Sequence, residues 1–227
     1  HNRQKVCSEI TFNYNNKVLI TNGCSTKSLG IHFDECLNWK QHCQSVVTSL
    51  ASASYLFRNL RNILEEAQLK MIYFAKVESL LRYGILLWGW STLAPKVFIA
   101  QKRVIRIIAG VVSTFGCKEL FRKYQIMTLP SIYIFELCVF AFHNKKSFSS
   151  SHERHGLNTR YCHNFYIDSS RYECTFRSPH LMGPRAHNLL PEYIKNVTTI
   201  QSFKRLLKQY LISECFYTVD EYFRIVH

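Results

Sequence analysis

Pro95-Lys96-Val97-Phe98-Ile99-Ala100-Gln101-Lys102-Arg103-Val104-Ile105-Arg106-Ile107-Ile108-Ala109-Gly110 decides how this chain is read. Advancing about 100° per residue puts Val97, Ala100, Val104, Ile107 and Ile108 on one side. Lys102, Arg103 and Arg106 fall on the other, with Lys96 at its edge and Ile99 as the single apolar exception. Pro95 suits a helix's first turn, and Gly110 suits its end. The stretch therefore predicts an amphipathic helix whose polar face carries positive charge alone. No acid occurs between Glu78 and Glu119. Most charged faces are simply solvated and carry both signs. A face of one sign over this length is as well read as a contact for phosphate.

Neighbouring stretches carry the same helical period. Val46, Leu50, Ala53, Phe57 and Leu60 alternate at spacings of four and three, one buried face of a helix starting near Trp39. Asn38 and Gln41 form a capping-box pattern in front of it. A second helix is expected over 65–83 with the face Leu69, Ile72, Tyr73, Val77 and Leu80. Gly84 and Gly89 bracket a short apolar link containing Trp88. A short helix follows to Tyr124, Leu129-Pro130 breaks it, and Ser131 caps a helix over 132–145. Upstream, Lys17–Ile20 and the alternating Leu29, Ile31 and Phe33 read as two strands of one hairpin turning at Asn22-Gly23. Residues 147–180 are polar and lack helical period. Near the end, Thr198 and Gln201 are a second capping-box pattern before the stripe Phe203, Leu206, Leu207, Tyr210 and Leu211, with Lys204, Arg205 and Lys208 opposite. The expected fold is mainly α with a small N-terminal β-hairpin. Its parts are the hairpin over 1–36, a helical bundle over 37–112, and a helical C-terminal domain over 113–227 with an irregular segment at 147–180.

Bulk composition narrows the function. Twenty-nine Lys and Arg against fifteen Asp and Glu leave a net charge of +14. A polyanionic partner is the simplest reason for that excess. No apolar run approaches the roughly 20 residues that span a bilayer, and no secretory signal opens the chain. Nine cysteines, an odd number, without such a signal suit a reduced, intracellular setting. None has the C-x-x-C spacing of zinc sites, and His152, His155, Cys162, His163 and Cys174 match no zinc pattern. Only three Asp occur, Asp34, Asp168 and Asp220, none beside another. Two-metal nucleotidyl transfer needs clustered carboxylates, so catalysis by this chain alone is not expected. The chain begins at His1 and not at Met, which is read as a piece of a longer product.

Eight short segments then fall in a recognisable order. Ser25-Thr26-Lys27-Ser28-Leu29-Gly30-Ile31-His32-Phe33-Asp34 is followed by Leu37-Asn38-Trp39-Lys40-Gln41-His42. Tyr83-Gly84-Ile85-Leu86-Leu87-Trp88-Gly89, Gln101-Lys102-Arg103-Val104-Ile105-Arg106-Ile107-Ile108 and Ile126-Met127-Thr128-Leu129-Pro130 come next. His155-Gly156-Leu157-Asn158-Thr159-Arg160, Asn188-Leu189-Leu190-Pro191 with Ile194-Lys195, and Phe203-Lys204-Arg205-Leu206-Leu207-Lys208 complete the set. Together they resemble the end of the palm, the thumb and the C-terminal domain of non-LTR (LINE-type) retrotransposon reverse transcriptases, the jockey-like elements in particular. Ser28 departs from the Phe usual in that family, and the paired catalytic Asp is not in this chain.

The resemblance implies a division of labour. The hairpin at Leu29 and Gly30 would lie near the primer terminus. The helices to Ala109 would be a thumb that tracks the template–primer duplex through Lys96, Lys102, Arg103 and Arg106. His155, Thr159 and Arg160 would belong to a C-terminal domain that binds element RNA or target DNA. Mg2+ would sit in the palm outside this chain, with the fingers and endonuclease as further partners. The activity implied is RNA-directed DNA synthesis during target-primed reverse transcription, in nucleus and cytoplasm. The alternatives are a nucleic-acid-binding helical module without enzymatic activity and a helical interaction protein whose charge is incidental. Tyr161, Phe165 and Tyr166 are candidates for stacking on unpaired bases, although burial in the core is the more ordinary use of an aromatic ring.

Overall fold

Gln101 is the one polar side chain of its helix with no exposed surface, and the fold is wired through it. In the computed structural model, which describes residues 11–14, 17–20, 25–34, 36–112, 114–149, 164–167 and 177–224, the chain is mainly helical with small antiparallel hairpins at its N-terminal end. The helices are α1 (Lys40–Leu60), α2 (Glu66–Ile72), a π-helical turn (Tyr73–Glu78), α3 (Ser79–Arg82), α4 (Ile85–Trp88), α5 (Ala94–Ala109), α6 (Lys118–Tyr124) and α7 (Leu129–His143). After a 3-10 turn at Lys145–Ser147 come α8 (Pro179–Asn188), α9 (Glu192–Lys195), α10 (Ile200–Glu214) and α11 (Val219–Phe223).

Helix α7 sits at the centre. Eleven of its fifteen residues are buried, so it has no wet face and must be covered all round. Helices α3, α4, α5, α8, α10 and α11 all pack on it. Its start is built from polar parts. The Gln101 amide donates to the Tyr73 hydroxyl at 2.8 Å and to the Met127 carbonyl at 3.0 Å, and its carbonyl accepts from the Leu129 N–H at 2.8 Å. Thr128 caps the helix by accepting from Ser131 N–H, and its hydroxyl donates to the Phe216 carbonyl. The expected break at Pro130 is corrected. Pro130 lies in the first turn, where its missing N–H costs nothing, and the cap is Thr128 rather than Ser131. One buried cluster runs from Ile31 to Tyr222, across the boundary expected at 112.

Other differences from the sequence reading have local causes. Lys17–Ile20 pairs with Thr11–Tyr14 and not with the later strand. Ser25–Ser28 pairs with Ile31–Asp34, so Leu29 is a turn residue and not a strand residue. Leu29 (φ 47°) and Gly30 (φ 80°) both take the left-handed conformation that a two-residue hairpin turn of this hand requires. Asn22-Gly23 lies outside the described residues.

The second helix is not regular. The π-helical turn lengthens the repeat, so the buried apolar residues are Leu69, Tyr73, Val77 and Leu81 at a constant spacing of four. Ile72 and Leu80 are left only half-buried. Neither capping box forms at α1 or α10: Trp39 and Thr199 precede those helices without side-chain caps. At α1 the Asp34 carboxylate does that work, accepting from Asn38 N–H at 2.6 Å and Lys40 N–H at 3.3 Å.

Helix α8 was hidden by its Gly183 and Pro184. A Cβ at Gly183 would stand 3.3 Å from both the Leu137 carbonyl and the Phe140 ring, so the glycine lets α8 lie close on α7. His187 on α8 is buried between the rings of Phe165 and Phe203, and its Nε2 has no hydrogen-bond partner. Among the described residues, no single helix is long and apolar enough to cross a membrane.

Gln101→Leu removes one side chain and strands three buried polar groups. We expect it to destabilise the protein by about 3 kcal/mol in urea unfolding, whereas Lys96→Leu on the wet side of the same helix changes little.

Burial, then Lys145 and Lys195, hold the His187 imidazole well below its ordinary value of 6.5, at about 3. The unfolded chain therefore takes the proton first as pH falls. The stability that neutral His187 contributes is complete above about pH 6.5 and is lost progressively toward pH 3. His42, lowered by burial and then by His32, acts in the same direction. Unfolding free energies measured at several pH values should fall over this window at up to about 1.4 kcal/mol per unit for each such histidine, and His187→Phe should flatten the curve.

Candidate nucleic-acid interface

Helix α5 turns its apolar side to α1, α2 and α7. Val97, Val104 and Ile105 have no exposed surface, and Gly110 ends the helix in the left-handed conformation. What remains outward is Lys96, Ile99 and Arg103, all exposed, flanked by the half-buried Lys102 and Arg106. None of the four cations has a carboxylate partner among the described residues. The ion pairs there use Arg82, Lys118, Arg122, Lys123 and Lys195 instead.

The four are not equivalent. The Lys102 ammonium lies 4.7 Å from the Phe98 ring centre and 5.3 Å from that of Tyr217. Lys118 approaches Tyr217 at 5.1 Å, so two lysines flank one aromatic ring. Arg106 Nε donates to the Phe115 carbonyl at 2.9 Å and so ties down the link after α5. Burial raises the Cys117 thiol, and Arg106 and Lys102 pull it the other way. Burial likewise pushes the Tyr217 hydroxyl up to about 12, with Arg106 and Arg122 opposing. Lys102 and Arg106 thus have structural duties, while Lys96 and Arg103 have no such contact among the described residues.

Sequence reasoning missed two further cations. Helices α1 and α5 run side by side in the same direction. Cys43 and Ser91 meet near their starts at 3.4 Å, and the Arg61 guanidinium lies against Gly110 at their ends. Arg58 and Arg61 therefore stand at the same end as Arg103 and Arg106. Carbonyl ends of helices favour cations there in any case, so these residues stabilise the bundle and extend the positive surface together. The only sequence signal was the glycine at 110, whose missing Cβ leaves room for Arg61.

Leu29 and Gly30, expected near a primer terminus, form the tip of the β3–β4 hairpin (Ser25–Ser28 and Ile31–Asp34). The Tyr83 hydroxyl donates to the Leu29 carbonyl, and Ile31 packs onto Gly84 where any Cβ would collide with it. The hairpin is therefore pinned to the turn between α3 and α4. His155, Thr159, Arg160 and Tyr161 lie outside the described residues, as do His152, Cys162, His163, Cys174 and Asp168. Phe165 is in packing use: it lies between Phe148 and His187, and the Asn188 amide bonds its N–H and its carbonyl.

Among the described residues no three His, Cys, Asp or Glu side chains converge on a common point. Asp34, the acid closest in sequence to the hairpin tip, spends both oxygens on the 38–40 backbone. The described residues do not bring together the clustered carboxylates that a two-metal centre uses. No protein-family model, curated protein or solved structure matches this chain.

Tyr83→Phe deletes the bond to the hairpin tip and little else, since Tyr83 is half-exposed. Global stability should fall by no more than about 1 kcal/mol, while amide exchange in the hairpin should accelerate. Unchanged hairpin exchange would mean that Ile31 on Gly84 is the sufficient anchor.

Proposed function

We propose that this chain grips the sugar–phosphate backbone of template–primer nucleic acid as the thumb and C-terminal part of a non-LTR retrotransposon reverse transcriptase. The single observation that carries the reading is the α5 surface: cations at Lys96, Lys102, Arg103 and Arg106, none paired with a carboxylate among the described residues. A surface of one sign on a rigid helix suits sequence-independent contact with phosphates. A net charge of +14 supplies the long-range attraction.

The way the resembling segments meet supports the family part of the reading. Leu29-Gly30-Ile31 meets Tyr83-Gly84, and Gln101 meets Met127 and Leu129. Asp34 meets Asn38, and Phe203 stacks by His187, next to Asn188. Side chains that recur in such motifs here hold one motif to another. In this reading the chemistry belongs to a palm carrying paired acids and Mg2+ elsewhere in a parent protein. This chain contributes positioning of RNA and DNA, in nucleus and cytoplasm.

Binding to an RNA–DNA duplex, followed by fluorescence anisotropy across a salt series, tests the proposal. Affinity should fall steeply with salt, and Lys96→Glu with Arg103→Glu should weaken binding equally for unrelated sequences. Each lost phosphate contact should lower the log–log salt slope by roughly one. Lys102 and Arg106 are poorer choices, because reversing them also disturbs Tyr217 and Phe115. Affinity that barely responds to salt, or a double variant that binds as the unaltered protein does, overturns the proposal.

A further inference from the structure

Helix α1 carries a histidine that the packing buries and leaves unanswered. His42 is only 5% exposed, and neither of its ring nitrogens has a hydrogen-bond partner. A buried polar group in that state has lost its hydration with nothing in exchange, and a bound water or ion is the ordinary remedy. Its ring centre lies 5.5 Å from that of Trp88. A second imidazole, His32 on β4, lies 6.4 Å away and is tilted by 41°. His32 is half-buried, and no hydrogen bond engages it among the described residues.

Two imidazoles that share one ion obey a narrow geometry. An ion of the zinc class sits about 2.0–2.1 Å from each ligating nitrogen, so each ring centre is about 3.2 Å from it, and the two centres are about 5.2 to 6.4 Å apart as the angle at the metal opens from tetrahedral to linear. The observed 6.4 Å lies at the wide end of that range, and a turn of the half-buried His32 closes it. His42 offers a free nitrogen whichever way its ring is flipped, because both are free. Burial, then His32, hold the His42 imidazole below its ordinary value of 6.5. The ring is therefore neutral at neutral pH, the form that binds a metal. Nearby groups are otherwise engaged: Asp34 spends its oxygens on the 38–40 backbone, and the Cys43 thiol lies 3.4 Å from the Ser91 hydroxyl.

We propose that His32 and His42 form a two-histidine clamp for a divalent d-block cation of the zinc class, with water in the remaining positions. Imidazole pairs suit such ions and not the oxygen-seeking Mg2+. The ion fastens β4 to α1 and so adds a tie to those that Tyr83 and Gly84 make with the same hairpin. The inference is independent of the nucleic-acid reading, since neither histidine belongs to the α5 stripe.

The full chain, without a histidine tag, is titrated with zinc chloride by calorimetry at neutral pH, and amide exchange is followed with and without the ion. We expect zinc to bind and to slow exchange across Ser25–Asp34. His32→Asn should weaken the binding at least about tenfold. His42→Phe should abolish it, and the far-UV dichroism should show that variant folded, because the change removes an unanswered polar group from the core. His143→Asn, on an exposed histidine of another helix, should bind as the unaltered chain does. A chain that takes up no zinc leaves only water between the rings and overturns the proposal. Zinc that binds His32→Asn as tightly as the unaltered chain, or that magnesium displaces, overturns it too.

Discussion

A helix with no polar face cannot stop at an ordinary solvated end, and α7 shows how the chain solves this. Its start lies inside the protein, where unpaired N–H and carbonyl groups would each cost about as much as a lost hydrogen bond. Gln101 reaches in from α5 and answers one of each, at Leu129 and Met127, while anchoring itself to Tyr73 on the π-helical turn. Thr128 adds the cap and extends the network to Phe216. Because this network joins α5, the π-helical turn, α7 and the segment before α11, none of them can shift without breaking a buried hydrogen bond.

Helix α5 consequently has two sides of opposite chemistry. Its inner side carries Val97, Val104, Ile105 and the fully buried Gln101, which lock it to the core. Its outer side carries Lys96 and Arg103, with Lys102 and Arg106 at the shoulders. A rigid inner side makes the outer side a fixed array of charges, and on the proposed function a fixed array would lose little entropy on meeting a polyanion. The same economy is visible at the hairpin. Tyr83 and Gly84 hold Leu29 and Ile31, and Asp34 holds the loop that follows. Hairpin and loop are thereby tied to the bundle beneath them.

Helical periodicity exposed α1, α5 and α10 because each has one wet face, and the alternation of burial with exposure is written in residue order. Helix α7 was found with its start misplaced, because Pro130 marks either a break or a first turn and only the neighbouring Thr128 decides. Helix α8 was not found. Gly183 and Pro184 signal a loop when read locally, and the close approach to Leu137 and Phe140 that makes use of the glycine is invisible in one dimension. The π-helical turn was missed for a related reason: one extra residue per turn moves the buried position from Leu80 to Leu81 without altering composition.

Sequence alone determined the helical class, the apolar faces of the long helices, the one-signed side of α5 and the order of the motifs. Those follow from local spacing and charge, which the chain carries with it in any conformation. Tertiary structure alone decided that Lys102 and Arg106 are occupied with Tyr217 and Phe115 while Lys96 and Arg103 have no carboxylate partner among the described residues, and that Arg61 lies over Gly110. It also decided which strands pair. These outcomes depend on which distant surfaces come into contact, and contact between residues far apart in the chain is set by packing around α7 rather than by any local pattern.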